Sequence, residues 1–154
     1  YEGAVIQDLL GSTFVSVFPS AGLAYQLRIP ELEPYKVVDA RFSHRVLMVV
    51  GTRKGSGGGQ YDRLTIVFSE DFSTYHVSST VSDVALAGLN FVVLDNGTTV
   101  HLTEDEKLEV WHIGTPSRVR VVADPALGND MRLIVLGGRV GFIRGSTINT
   151  MVMK

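Results

Sequence analysis

The chain has no cysteine in its 154 residues. That excludes disulfides, thiol nucleophiles and thiolate-bound metals. Charge is scarce as well, at 19% of residues against roughly 25% in an average domain. Neither sign dominates: 14 lysine and arginine residues stand against 16 aspartate and glutamate residues, a net charge of −2. Such a balance argues against a nucleic-acid binder held by bulk electrostatics. Long apolar runs are missing too. Stretches such as Val46–Val50 stop within about six residues, well short of the roughly 20 that a spanning helix needs, so no membrane insertion is expected. The sequence starts at Tyr1 with no basic region leading into an apolar one, so no signal peptide is read there and a segment of a longer protein is expected.

What is present is apolar and rich in turns. Hydrophobic residues make up 45% and mean hydropathy is +0.19, enough to bury a real core. The apolar period is two rather than 3.6. Phe14–Phe18, Leu64–Phe68, Val100–Leu102 and Leu108–Ile113 read as strands rich in β-branched and aromatic residues. Val46–Val50, Phe91–Leu94 and Leu133–Leu136 are short continuous apolar runs, the pattern of strands buried on both faces. Leu47, Val49, Phe91, Val93, Leu133 and Val135 are therefore expected in the buried inner strands. Asp95-Asn96-Gly97-Thr98 predicts a type I′ hairpin, because both central residues of that turn need positive φ. Gly137-Gly138 predicts another, and Pro19–Gly22 a further turn. Ile6–Leu10 is too short to stand alone as a helix and reads as an irregular lead-in.

An internal repeat runs through the middle. Val37–Phe42 followed by Leu47–Val50 matches Val81–Leu86 followed by Phe91–Leu94, with Asp39 and Asp83, and Leu47 and Phe91, each 44 residues apart. A second strand, a Glu-Asp turn and a third strand follow in both cases. The expected fold is all-β, with β-propeller-like blades of three or four antiparallel strands forming a partial propeller. A β-sandwich or open barrel is the competing architecture. One all-β domain or fragment with about four blade-like units is expected, at 1–36, 37–80, 81–114 and 115–154. Pro30 and Pro34 interrupt pairing in the first. The apolar strand Thr147–Met153 would stand at an open edge. Its expected partner is the segment around Ala4–Leu10, further blades of a longer parent chain, or a neighbouring subunit.

Candidate chemistry is thin. His44, His76, His101 and His112 have no ligand spacing, and His101 and His112 are expected at the sheet surface, so no metal or cofactor is assigned. No Gly-x-Ser-x-Gly elbow is present, and no catalytic residue is assigned. Glu70-Asp71 and Glu104-Asp105-Glu106 read as solvated turns. The stretch Gly51–Gly59 lacks a phosphate-loop ending and reads as a long hairpin loop with two positive charges. Tyr61-Asp62-Arg63 reads as a hairpin entry, with Asp62 bonding local backbone. Trp111 reads as packing rather than as a sugar platform. The loops most suited to interaction carry Arg53, Lys54 and Gln60 on one stretch, and Asp124 and Asp130 on another.

Tyr1–Gly11, Ile29-Pro-Glu-Leu-Glu33, Val38-Asp-Ala40 with Leu47–Gly51, Tyr61-Asp-Arg-Leu64 with Phe68–Tyr75, and Gly138–Phe142 together resemble the propeller part of the nozzle, or tail tubular protein B-type, proteins of short-tailed bacteriophages. The resemblance implies a non-catalytic structural role in a virion tail, with other tail subunits or further blades of the same parent chain as partners and a homo-oligomeric ring as the assembly. It also implies that this chain corresponds to an excised domain. A propeller-type module recognising a protein or glycan on a host surface is the alternative. A propeller enzyme is a third reading, and it needs Asp39, Asp83 and Asp124 to converge on one axis.

Overall fold

The computed structural model describes residues 3–9, 12–18, 25–55 and 59–150. The fold is all-β, built of blade-like antiparallel sheets of three or four strands, none closed into a barrel. Sheet one holds β1 (Gly3–Leu9), β2 (Ser12–Phe18) and β3 (Tyr25–Arg28). A single 3-10 turn, Pro30–Leu32, follows it. There the fixed φ of Pro30 suits the first position of a helical turn, where no N–H is needed. Sheet two holds β4 (Tyr35–Ser43), β5 (Val46–Arg53), β6 (Tyr61–Phe68) and β7 (Tyr75–Val84). Sheet three holds β8 (Phe91–Val93), β9 (Thr98–Leu102), β10 (Leu108–His112) and β11 (Thr115–Val122), and sheet four β12 (Met131–Leu136), β13 (Arg139–Arg144) and β14 (Thr147–Thr150). In every sheet the strands lie in chain order.

The chain divides into two compact units, Tyr1–Leu86 and Ala87–Lys154, where the sequence suggests one domain. In the first unit, Val15, Ile29 and Leu32 share a core with Leu47, Val49, Leu64, Ile66, Phe68 and Phe72, and Ala4, Ile6 and Leu27 pack against it. Sheets one and two thus bury their apolar faces together. In the second, Val92, Val100, Leu102 and Leu108 share a core with Met131, Leu133 and Val140, joining sheets three and four. The continuous apolar runs behave as expected in β5, where Val46–Gly51 is buried throughout, and in β8.

Several expectations need correction. Ile6–Leu10 is not an irregular lead-in: Gly3–Leu9 ladders with β2 in an unbroken register that sets Ile6 opposite Val15. The boundary at 80/81 cuts through β7, and that at 114/115 falls just before β11 and parts it from β10, its partner in sheet three. Leu47–Val50 lies in the second strand of its sheet and Phe91–Val93 in the first. The repeat read from the sequence thus holds for β5-β6-β7 with β8-β9-β10, including the turns Ser69-Glu-Asp71 and Thr103-Glu-Asp105, whereas Val81–Leu86, matched to Val37–Phe42 of β4, runs from the end of β7 and opens no sheet. Val135 is 47% exposed: it shares a face with the buried Met131 and Leu133, but it stands at the end of β12 beside the Gly137-Gly138 turn, where burial on that face runs out. Among the described residues β14 ladders with β13 alone; residues 151–154 and the turn Pro19–Gly22 lie outside the described residues.

Turn chemistry explains the hairpins. Gly137 and Gly138 both have positive φ, 55° and 75°, as the type I′ turn requires. At Asp95–Thr98 only Gly97 does, at 87°. With Gly97 N–H donating to the Leu94 carbonyl and Leu94 N–H to that of Thr98, this is a type I turn closed by a glycine bulge instead of type I′. Glu106 (φ 62°) and Phe72 (φ 60°) take the same bulge position in their own turns. Phe72 is 5% exposed and packs against Phe42 and Phe68, with ring centroids 6.3 and 6.1 Å away. Burying an aromatic ring is worth more than the roughly 1–2 kcal/mol that a left-handed L-residue costs. Glu106 is exposed and has no such offset.

Two stability measurements follow. Phe91 is fully buried, so Phe91→Ala should cost ~3–5 kcal/mol in chemical denaturation; a loss under ~1 kcal/mol would make β8 peripheral. Glu106→Gly should instead raise stability by ~0.5–1 kcal/mol, since relief of backbone strain exceeds the added freedom of the unfolded chain.

Candidate functional site

The most developed polar constellation lies inside sheet two and centres on Asp62. An aspartate at the second position of β6 stands in a strand that is buried from Asp62 to Phe68 and mostly apolar from Leu64 on, and it is only 7% exposed. A buried carboxylate needs partners, and the neighbouring strands supply them. Asp62 is paired with Gly51 on β5. Gly51 leaves a hollow: a Cβ there would stand 2.9 Å from the Lys36 carbonyl oxygen and 3.1 Å from Tyr35 Cβ. Tyr35, at the start of β4, donates its hydroxyl to Asp62 Oδ2 at 2.7 Å. Arg53, opposite Tyr35 in the ladder, donates Nε to the same oxygen at 3.3 Å. Its guanidinium carbon lies 5.8 Å from the Tyr35 ring centroid, within cation–π range.

On the other side, β7 carries a bulge: Tyr61 pairs with Val84 but Arg63 with Val81. Two residues, Ser82 and Asp83, thus oppose the one residue Asp62. Asp83 takes φ 57°, and its backbone N–H bonds the Asp62 carboxylate. One carboxylate therefore draws on all four strands of sheet two. Burial pushes the Asp62 carboxyl up, but the hydrogen bonds from Tyr35, Arg53 and the Asp83 backbone outweigh it and hold it below the usual value. Burial and the bond to Asp62 raise the Tyr35 hydroxyl. The expectation of a local backbone role for Asp62 is thus replaced by a cross-strand one.

Other polar groups make similar staples. Tyr75 on β7 donates its hydroxyl to Glu31 at 2.7 Å, tying sheet two to the 3-10 turn. Burial and that carboxylate push the Tyr75 hydroxyl up to about 12. In the β6–β7 turn, Asp71 accepts from the Ser73 and Ser69 hydroxyls and from Ser73 N–H, which lower its carboxyl to about 2. The β9–β10 turn repeats the device, with Thr103 donating to Asp105 and accepting from Lys107 N–H at 3.1 Å. The Thr103 bond holds Asp105 below its ordinary range against burial. Asn90 donates to the Met131 carbonyl at 2.7 Å and accepts from Leu133 N–H at 2.9 Å, so one side chain stitches sheet three to β12.

The interaction-loop residues divide between the units. Arg53 closes β5 and is tied to Asp62 rather than free in a loop. Lys54 is exposed and its N–H donates to the Pro34 carbonyl at 2.8 Å. Gln60 is exposed at the entrance to β6. In the second unit, Asp124 accepts from Ala126 N–H and Asp130 pairs with Arg144 at 3.1 Å. His101 is buried, at 2% exposure, because both faces of β9 are covered; only His112 is at the surface as expected. Trp111 is 6% exposed, so it packs. Asp39 and Asp83 lie on opposite edge strands of sheet two, and Asp124 belongs to the other unit. Among the described residues no three His, Asp or Glu side chains are grouped to hold a metal ion. Pattern reading missed Tyr35 and Arg53 as partners of Asp62. The available signal was a lone acidic residue inside an apolar strand, which must find donors on adjacent strands. No protein-family model, curated protein or solved structure matches the chain.

Asp62→Asn should destabilise the protein by ~2–3 kcal/mol at neutral pH, as a charge-assisted cluster is lost in a buried setting. A carboxyl whose folded value is depressed contributes stability above its unfolded value, near ~4, and loses it as pH falls through the folded one. The gap between wild type and Asp62→Asn should therefore narrow below pH ~4 in denaturant titrations. Tyrosinate absorbance offers a separate check: Glu31→Gln should lower the Tyr75 titration from about 12 by the carboxylate's share, leaving the rise that burial causes.

Proposed function

We propose that the chain is a non-catalytic structural and interaction module of a larger assembly, with the tail of a short-tailed phage as the setting that the sequence resemblance implies. Its partners are other tail subunits or further blades of the same parent chain, and it acts as a homo-oligomer in the virion. The observation that supports this reading best is where the buried charge goes. Asp62, Tyr35 and Arg53 serve one another across the strands of sheet two, so their chemistry is used to hold sheet geometry.

A second feature suits an assembly role. β11 and β14 end their sheets and carry exposed apolar side chains: Val119, Val121 and Ile148 are 46%, 57% and 59% exposed. Edge strands of this type accept further strands or neighbouring subunits.

Mass and stoichiometry in solution test the proposal. Self-association that rises with concentration is the expected result in sedimentation or light scattering. A strict monomer that is retained on a glycan array would favour host-surface recognition and overturn it.

A further inference from the structure

The hairpin that joins β8 to β9 contains Asn96 followed by Gly97. With no Cβ on glycine, its backbone nitrogen meets little steric resistance on approaching the preceding asparagine. Attack of Gly97 N on Asn96 Cγ forms a five-membered succinimide. The new N–Cγ bond replaces the Cγ–Nδ2 bond, and the Gly97 proton leaves with the departing ammonia. Water then opens the ring at either carbonyl, giving aspartate or isoaspartate. The only co-reactant is water, and Asn96 is exposed to it.

The folded turn holds each reacting group in another interaction. Gly97 N–H, whose nitrogen must attack, donates to the Leu94 carbonyl at 2.9 Å. The Asn96 carboxamide oxygen accepts from Thr98 N–H at 3.0 Å. His112, at the end of β10, closes the turn from outside. Its Nδ1 accepts from Gly114 N–H at 3.0 Å, and its ring lies 2.6 Å through Nε2 from the Asn96 carbonyl oxygen. A carbonyl can only accept and an N–H only donate, so the neutral ring with its proton on Nε2 satisfies both. Ile113 N–H donates to the Gly97 carbonyl at 3.0 Å. Gly97 is buried beneath this imidazole, so closely that a Cβ added to it would stand only 3.0 Å from Nε2.

We infer that Asn96–Gly97 is a latent deamidation site kept silent by the closed turn, and that His112 is the residue that keeps it closed. Reaction requires local opening of the hairpin. Once formed, isoaspartate adds a backbone carbon and a negative charge to a bulge whose register admits one residue. The turn then cannot return to its original bonds, and the modification records that the hairpin has opened.

The test incubates the full chain at mildly alkaline pH and follows the peptide containing Asn96 by mass spectrometry and by separation of its aspartate and isoaspartate forms. In the folded wild type, the gain of about one dalton should appear about tenfold or more slowly than in the same chain held in urea. His112→Ala, shown folded by circular dichroism, should react several-fold faster than wild type, whereas His112→Gln, which keeps a donor, should restore slow reaction. Hydrogen exchange reads the gate without any variant: the Gly97 and Thr98 amides should be protected in the wild type. Equal rates in the folded and urea-unfolded chains, an unchanged rate in folded His112→Ala, or free exchange at those two amides would overturn the inference.

Discussion

The bonds that converge on the Asp62 carboxylate set the geometry of sheet two. A carboxylate at 7% exposure is tolerable only with several donors at once. Meeting that demand fixes the start of β4, the end of β5, the entry of β6 and the bulge of β7 relative to one another. Gly51 is part of the same requirement, since a side chain there would meet the Lys36 carbonyl and Tyr35. The apolar core shared with sheet one is non-directional by nature. The Asp62 cluster adds the direction, by choosing one register for four strands.

The second unit solves the same problem with neutral groups. Asn90 uses both ends of its carboxamide on the backbone of β12, so sheets three and four are registered without burying a charge there. The turns of both units share one device, a hydroxyl residue bonded to an aspartate two positions on, followed by a residue with positive φ. Where the aromatic Phe72 fills that last position, burial in the cluster of Phe42, Phe68 and Tyr75 offsets the strain. One residue thus terminates a hairpin and fills the core.

Much of the fold was legible in the sequence, because a period of two and glycine-rich turns have direct physical causes. The runs at Val46–Val50 and Phe91–Val93, and the Gly137-Gly138 turn, all lie where their chemistry put them. The repeat was legible for β5-β6-β7 with β8-β9-β10 but not for the strand before them: Val81–Leu86, matched to Val37–Phe42 of β4, falls at the end of β7, so β5 is second in its sheet and β8 first. Tyr35 and Arg53 were illegible as partners of Asp62 because their pairing depends on a cross-strand diagonal and on a bulge at Asp83, neither of which has a local sequence period. His101 misled in a similar way, since alternation reports which face a residue takes and not whether that face is covered.

Among the described residues every ladder joins strands that are neighbours in the chain, and the boundary between Leu86 and Ala87 cuts none of them. Hairpins of this kind close short loops, so the entropy lost before each ladder begins to form is small. The longer-range terms are the shared cores and single staples such as Asn90 to Met131, 41 residues apart. A chain organised in this way can lengthen or shorten by a whole meander without severing a sheet, because each addition carries its own hydrogen bonds and asks only for one more apolar face to cover. In evolutionary terms, the unit of inheritance is then the hairpin set with its turn, and duplication costs little more than a linker.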